Sequence, residues 1–335
     1  MSKERTRISA SVDLAAQGKQ RGFLTVPHSR NDSAWGAIRI PITVIANGEG
    51  PTVLFTAGSH GDEYEGPIAL MKLADELEPS AVSGRIIILP TMNHPAVRSA
   101  TRLSPVDGRN MNRAFPGRYD GTVTEMICHY VYYHLVSRAD VVVDLHSGGK
   151  TLDFVPSVVM HRLEDRELMD RTLSAIKAFG APVALVLVEL DNEGMLDTVV
   201  ENAGKIFIST ELGGAGTATA RTVGVADRGM RNLLRHFDVL AGDPEPPAEG
   251  SRLMHTPDGG CFVPSADAGI YEALADLGAN VRKGDPIGRV HFFEDQGRPP
   301  ALYAAPMDGM VYSRHVPGLI GRGDCLAVLA TDYTG

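Results

Sequence analysis

Short runs of apolar, β-branched residues alternate with amphipathic stretches over the first two-thirds of the chain. Positions 38–46 (IRIPITVIA) mix period-2 alternation with β-branched residues, and 52–57 (TVLFTA) is an apolar run between Pro51 and Gly58. Both predict strands. Apolar positions at helical spacing, with a proline suited to the first turn, predict a helix over 67–77 (PIALMKLADEL). Strand-like runs at 85–90, 141–145, 183–188 and 205–210 are interleaved with helical periodicity over 122–137, 164–179 and 227–240. Short continuous apolar runs are what strands covered on both sides require, so the alternation predicts an α/β fold, a sheet with helices on both faces.

The pattern changes at 241–250 (AGDPEPPAEG), where three prolines, two glycines and three acids form a stiff polar stretch. The predicted organisation is a region over 1–240, a linker over 241–250 and a small all-β unit over 251–335. Glycine- and proline-punctuated short strands in that last part resemble the barrel-sandwich hybrid of biotinyl and lipoyl carrier domains. Such carriers need a modifiable lysine on an exposed hairpin, which is missing here, Lys283 being the last lysine of the chain. The unit is therefore expected to shape or cover the main site rather than carry a swinging cofactor.

With 335 residues, 43% of them apolar, the chain can bury a sizeable core in at least one domain. The 32 basic against 41 acidic residues leave a net charge of −9, which opposes contact with phosphate backbones and anionic membranes. Cys128, Cys261 and Cys325 are odd in number, far apart and without CxxC spacing, so neither a disulfide framework nor a zinc knuckle is expected. A charged start with no apolar stretch behind it reads as lacking a signal peptide, and a cytoplasmic location is expected.

Candidate chemistry collects where predicted strands end. Gly58-Ser59-His60-Gly61-Asp62-Glu63 follows the 52–57 strand. An imidazole and a carboxylate three residues apart either converge on one cation or make a polar loop with a capping acid. Asp144-Leu145-His146 closes another apolar run, with Asp144 and His146 on the same side by strand alternation. Asp144 suits the carboxylate that fixes the tautomer of a metal-bound histidine, His146 or His60; the alternative is a cap beside a satisfied histidine. Glu211 ends the 205–210 run and is a candidate proton shuttle. Polar groups gathered at the C-terminal ends of three strands are what an active site in an open α/β sheet requires. The loop over 93–117 carries Arg98, Arg102, Arg109, Asn110, Asn112 and Arg113. It reads either as a solvated surface or as a guanidinium-rich wall for an anionic substrate. Ser59, Ser147 and Ser209 lie near the histidines, but no G-x-S-x-G elbow is present.

Together these motifs resemble the succinylglutamate desuccinylase and aspartoacylase family, itself similar to zinc carboxypeptidases. The resemblance runs from about Ile38 to Leu240, and the C-terminal β unit fits the family layout. Its G-x-H-G-x-E element matches Gly58 to Glu63, its D-x-H element Asp144 to His146, its N-R-x-F-P-G element Asn112 to Gly117, and its catalytic glutamate Glu211. The resemblance implies a carboxypeptidase-like mixed sheet, one Zn2+ per chain on His60, Glu63 and His146, and Glu211 as general base and acid. It further implies Asn112 and Arg113 as holders of the substrate α-carboxylate. An upstream arginine polarises the scissile carbonyl; Arg102 fits best, with Arg98 and Arg109 close in sequence. The implied reaction is hydrolysis of an N-acyl amino acid, with a deacetylase branch resembled most and a desuccinylase, aspartoacylase or carboxypeptidase activity, or a metal-free binding protein, as rivals. A side-chain ammonium on the substrate would call for an acid, and Glu189, Asp191 and Glu193 lie in a suitable loop. The expected partner is a small molecule, with neither nucleic acid nor membrane, and a homo-oligomer is compatible with the sequence.

Overall fold

A computed structural model of the chain describes residues 5–188, 191–247, 250–295 and 297–334. Strands β1 (Gly18–Pro27) and β2 (Ala37–Asn47) make a long antiparallel ribbon. They lead into β3 (Thr52–Ala57), α1 (Glu65–Glu76), β4 (Gly84–Leu89), α2 (His94–Ser99) and α3 (Val123–Tyr130). Next come β5 (Val141–His146), β6 (Ser157–His161), α4 (Arg166–Phe179) and β7 (Val183–Leu187). Helix α5 (Leu196–Glu201), β8 (Ile206–Glu211) and α6 (Ala220–His236) complete this part. The strands lie in the order β1-β2-β4-β3-β5-β8-β6-β7. Strands β4, β3, β5 and β8 are mutually parallel, whereas β2 and β6 run antiparallel to β4 and β8, so the sheet is mixed.

Alternation along each strand divides the apolar side chains between two cores. Val53, Phe55 and Ala57 of β3 and Val141, Val143 and Leu145 of β5 pack with Leu70 and Leu73 of α1, Ile176 of α4 and Val225 of α6. Leu54, Ile87, Leu89 and Val142 face the other way, onto Met126 and Ile127 of α3 and Leu196 and Val200 of α5. Helices on both faces are thus the direct result of strands that carry apolar residues on both of their sides. Two helix boundaries differ from the periodicity. Helix α6 begins at Ala220 because Thr219 and Thr222 form a capping box there, well before the apolar repeat at 227 becomes visible. The helix expected over 122–137 is regular only to Tyr130 and continues as a π-turn over Val131–Leu135. Strands β1 and β6 and helix α5 had no strong periodicity and went unpredicted.

Beyond the polar stretch, β9 (Arg252–His255) pairs parallel to β7, so the large sheet runs on without a break. Strands β10 (Gly269–Ala273), β11 (Pro286–His291), β12 (Ala301–Ala304), β13 (Gly309–His315), β14 (Leu319–Ile320) and β15 (Cys325–Asp332) follow. Of these, β15 and β13 extend the large sheet, while β12-β11-β10-β14 form a separate antiparallel sheet. Residues Leu152–Phe154, just after β5, pair with β13. That pairing holds the C-terminal part against the ends of the central strands, where the candidate site lies. Among the described residues, no helix is long and apolar enough to cross a membrane.

Candidate metal centre and active site

Three strand ends converge through register. In the β3–β5–β8 ladder, Thr56 pairs with Asp144 and His146 with Glu211, so the D-x-H strand is flanked by the loop bearing His60 and by Glu211. The chain turns sharply after β3 at Gly58, whose φ of +67° suits glycine. Gly61 then passes so close to α2 that a Cβ there would lie 2.0 Å from the Ala96 backbone, which glycine alone avoids. Asn93 anchors the same loop by donating to the Ser59 carbonyl at 3.1 Å.

This frame brings His60, Glu63 and His146 together, each buried, with one ligand atom apiece within 4.8 Å of one another. His60 Nδ1 lies 2.6 Å from one Glu63 oxygen and His146 Nδ1 3.0 Å from the other. The outer nitrogens are also held: His146 Nε2 is 2.7 Å from Asp144 and His60 Nε2 is 3.1 Å from Asn110 Oδ1. Thr56 donates to the second Asp144 oxygen at 2.7 Å, fixing the acid that orients His146. Two imidazoles whose inner nitrogens share one carboxylate and whose outer nitrogens are tied down make a donor set that fits a divalent metal.

Opposite charges alternate around this point. Burial acts to raise the Glu63 carboxyl, but the adjoining imidazoles outweigh it and hold the group far below the usual carboxylate range. Burial opposes charge on His146 too, yet Asp144 and Glu63 lift its pKa well above the ordinary histidine value. An imidazole between two carboxylates retains a cation strongly, and a metal ion satisfies the same need as the proton.

A cavity of about 460 Å³ opens over the cluster. Glu211, Arg102, Asn112 and Arg113 all line it together with the three donors. Glu211 lies close enough to Tyr312 that, after burial, its charge is the next factor raising the tyrosine pKa. Among the arginines, Arg102 reaches within 3.6 Å of Glu63, whereas Arg109 pairs with Glu125 at 3.5 Å and neither Arg109 nor Arg98 borders the cavity. Asn112 accepts a hydrogen bond from Leu196 N at 3.0 Å through Oδ1, which leaves its amide N–H2 as donor. Arg113 donates to the Asn112 carbonyl at 2.6 Å and lies 3.5 Å from Asp191. Asp191 thus stands against Arg113, Glu193 is exposed, and Glu189 lies outside the described residues. Three groups on the cavity wall escaped the sequence reading: His161, Asp197 and Tyr312. Asp197 in the first turn of α5 looks like an ordinary helix-start acid, and Tyr312, in the C-terminal part, carries no local signal at all.

The catalytic-domain model of the succinylglutamate desuccinylase/aspartoacylase family matches residues 49–237, a stretch that holds His60, Glu63, Arg102, Asn112, Arg113, His146 and Glu211. The chain belongs to this family. An N-alpha-acetyl-L-2,4-diaminobutyric acid deacetylase from Halomonas elongata is 47% identical over 323 residues, 96% of this chain and 94% of that one. The product-bound structure of the ectoine utilization protein EutE (DoeB) from Ruegeria pomeroyi is similar with a TM-score of 0.95 at 48% identity, over 98% of this chain and 99% of that one. A crystal structure of a succinylglutamate desuccinylase from a Silicibacter species matches with a TM-score of 0.95 at 48% identity, over 98% and 100% of the two chains.

Proposed function

We propose that the protein is a zinc-dependent amidohydrolase that removes the acetyl group from N-alpha-acetyl-L-2,4-diaminobutyrate, yielding L-2,4-diaminobutyrate and acetate in ectoine breakdown. The observation that carries this reading is the convergence of His60, Glu63 and His146 beside Glu211, in a chain 47% identical to the Halomonas deacetylase over nearly its whole length. The three donors would hold one Zn2+ per chain. When bound there, zinc supplies Lewis-acid chemistry that lowers the pKa of water toward about 7 and polarises the acyl carbonyl. Glu211 takes the proton of the attacking water and delivers it to the amine as the C–N bond breaks. Arg102, the arginine on the cavity wall beside Glu63, stabilises charge developing on the acyl oxygen. The Asn112 amide and the Arg113 guanidinium hold the α-carboxylate. No covalent enzyme intermediate is required. The same reading takes the sheet as zinc carboxypeptidase-like, 1–240 as catalytic, 241–250 as linker and 251–335 as a barrel-sandwich-like unit, in a cytoplasmic enzyme.

Metal analysis of the purified protein with an assay of acetate release from N-alpha-acetyl-L-2,4-diaminobutyrate tests the proposal. Stoichiometric zinc and preferential acetate release are expected. Preferential release of succinate from N-succinyl amino acids would replace the acetyl assignment, and absence of both zinc and turnover after metal is supplied would overturn the activity.

A further inference from the structure

Asp197 is an acid that the proposed hydrolysis leaves unused. It is 6% exposed, yet it borders the cavity. Its Oδ1 accepts from the Thr198 backbone and hydroxyl, and no described residue donates to its Oδ2. The charge beside it does not neutralise it: His161, the cation that acts on Asp197, lies 3.0 Å from Glu201 through Nδ1. Two carboxylates thus share one imidazole, and the group stays net negative even with His161 protonated. Arg113, the cation of the carboxylate site, is engaged with Asp191 and the Asn112 carbonyl. A buried carboxylate in a group that stays net negative is costly, and a cation arriving in the cavity removes that cost.

We propose that Asp197, backed by the His161–Glu201 pair, is the specificity residue that receives the side-chain ammonium of the substrate. The inference rests on the deacetylase reading above. Its placement next to the carboxylate site suits a short diamino acid. Asn112, in the proposed carboxylate site, is bonded to Leu196 N, the residue next to Asp197, so anion and cation sites adjoin. In 2,4-diaminobutyrate only Cα, Cβ and Cγ separate the carboxylate carbon from the ammonium nitrogen. A neutral side chain of the same shape would bury Asp197 without a partner and be rejected.

The test compares N-alpha-acetyl-L-2,4-diaminobutyrate with N-acetyl-L-norvaline, in which a methyl group replaces the ammonium. Wild-type kcat/KM is expected to favour the diaminobutyrate by about 100-fold or more. In Asp197→Asn, which keeps the acceptor for Thr198, that ratio should fall to near one, and Asp197→Glu should recover part of it. Calorimetric titration of the zinc-loaded wild type with L-2,4-diaminobutyrate and L-norvaline gives a readout independent of turnover and of variant folding; only the diamino acid should bind appreciably. Equal binding of the two amino acids, or an unchanged ratio in Asp197→Asn, would overturn the subsite while leaving the deacetylase assignment standing. A wild type that hydrolyses other N-acyl amino acids but not the diaminobutyrate overturns the substrate assignment, and the subsite with it.

Discussion

Glu63, His146 and Asp144 form a chain of opposite charges in which each group is buried by the others' presence, so single changes have consequences beyond the atom removed. Glu211→Gln preserves shape but cannot accept a proton. It should retain zinc and lose turnover by about a thousandfold. His146→Ala should lose both, and it strands Asp144 and Glu63 as buried acids, a destabilisation of roughly 3 kcal/mol. Metal analysis, steady-state rates and denaturant melts on the two variants separate these outcomes; full zinc occupancy in His146→Ala would remove that residue from the ligand set. The thiols behave in the opposite sense. Burial pushes Cys325 up to about 11 and raises Cys128 and Cys261 as well. Folding therefore favours the thiol of Cys325, a contribution that is full below about pH 8.5 and is lost as pH rises toward 11. At pH 8 only about one Cys325 in a thousand is thiolate in the folded chain. Mass spectrometry after iodoacetamide at pH 8 should find the native protein nearly unlabelled and the urea-unfolded protein labelled at all three cysteines.

At the scale of elements, the loop between β3 and α1 is held both by hydrogen bonds, such as Gly61 N to the Thr101 carbonyl at 2.9 Å, and by close packing against α2. Gly61→Ala places a methyl group on the Ala96 backbone, so either α2 or the His60 loop must shift. A loss of 1–3 kcal/mol or more is expected, together with weaker zinc retention because His60 moves with the loop. Thermal melting and competitive metal chelation measure the two effects. Neighbouring elements show why some features were legible and others were not. The strands β3, β5 and β8 are apolar at consecutive positions because both faces are covered, and such runs stand out in a sequence. Strand β6 is buried as well, but it is only five residues long and antiparallel to β8, too short a run to stand out by its periodicity. Helix α6 was placed late since its first two turns are held by a capping box and only later turns bury a continuous apolar face.

At the scale of the whole molecule, the C-terminal part is woven into the main sheet. Strand β9 covers the edge of β7, and Tyr312 of β13 reaches the cavity, where Ser157 and Tyr312 share a 2.6 Å hydrogen bond. A chain ending at residue 250 would expose the β7 edge together with Val183 and Leu185, which are buried against Met254 and Tyr312. Such an edge is a template for association. The shortened chain should be recovered mainly as aggregate, whereas the full chain elutes as a defined species; gel filtration and light scattering distinguish them.

Sequence alone brought out His60, Glu63, His146 and Glu211 as candidates, because their residue types are donors and proton carriers and they stand in short motifs at predicted strand ends. It also determined the layered α/β plan, since period and apolarity are local properties of a chain. Tertiary structure decided what depends on distant segments meeting. It placed Arg102 rather than Arg98 or Arg109 at the cavity, put Asp191 against Arg113, and brought Asp197 and His161 to the wall where Tyr312 also stands. The reason is that a side chain's chemistry is written in its residue type, whereas its partner is set by sheet order and register, which arise only when the whole core has packed.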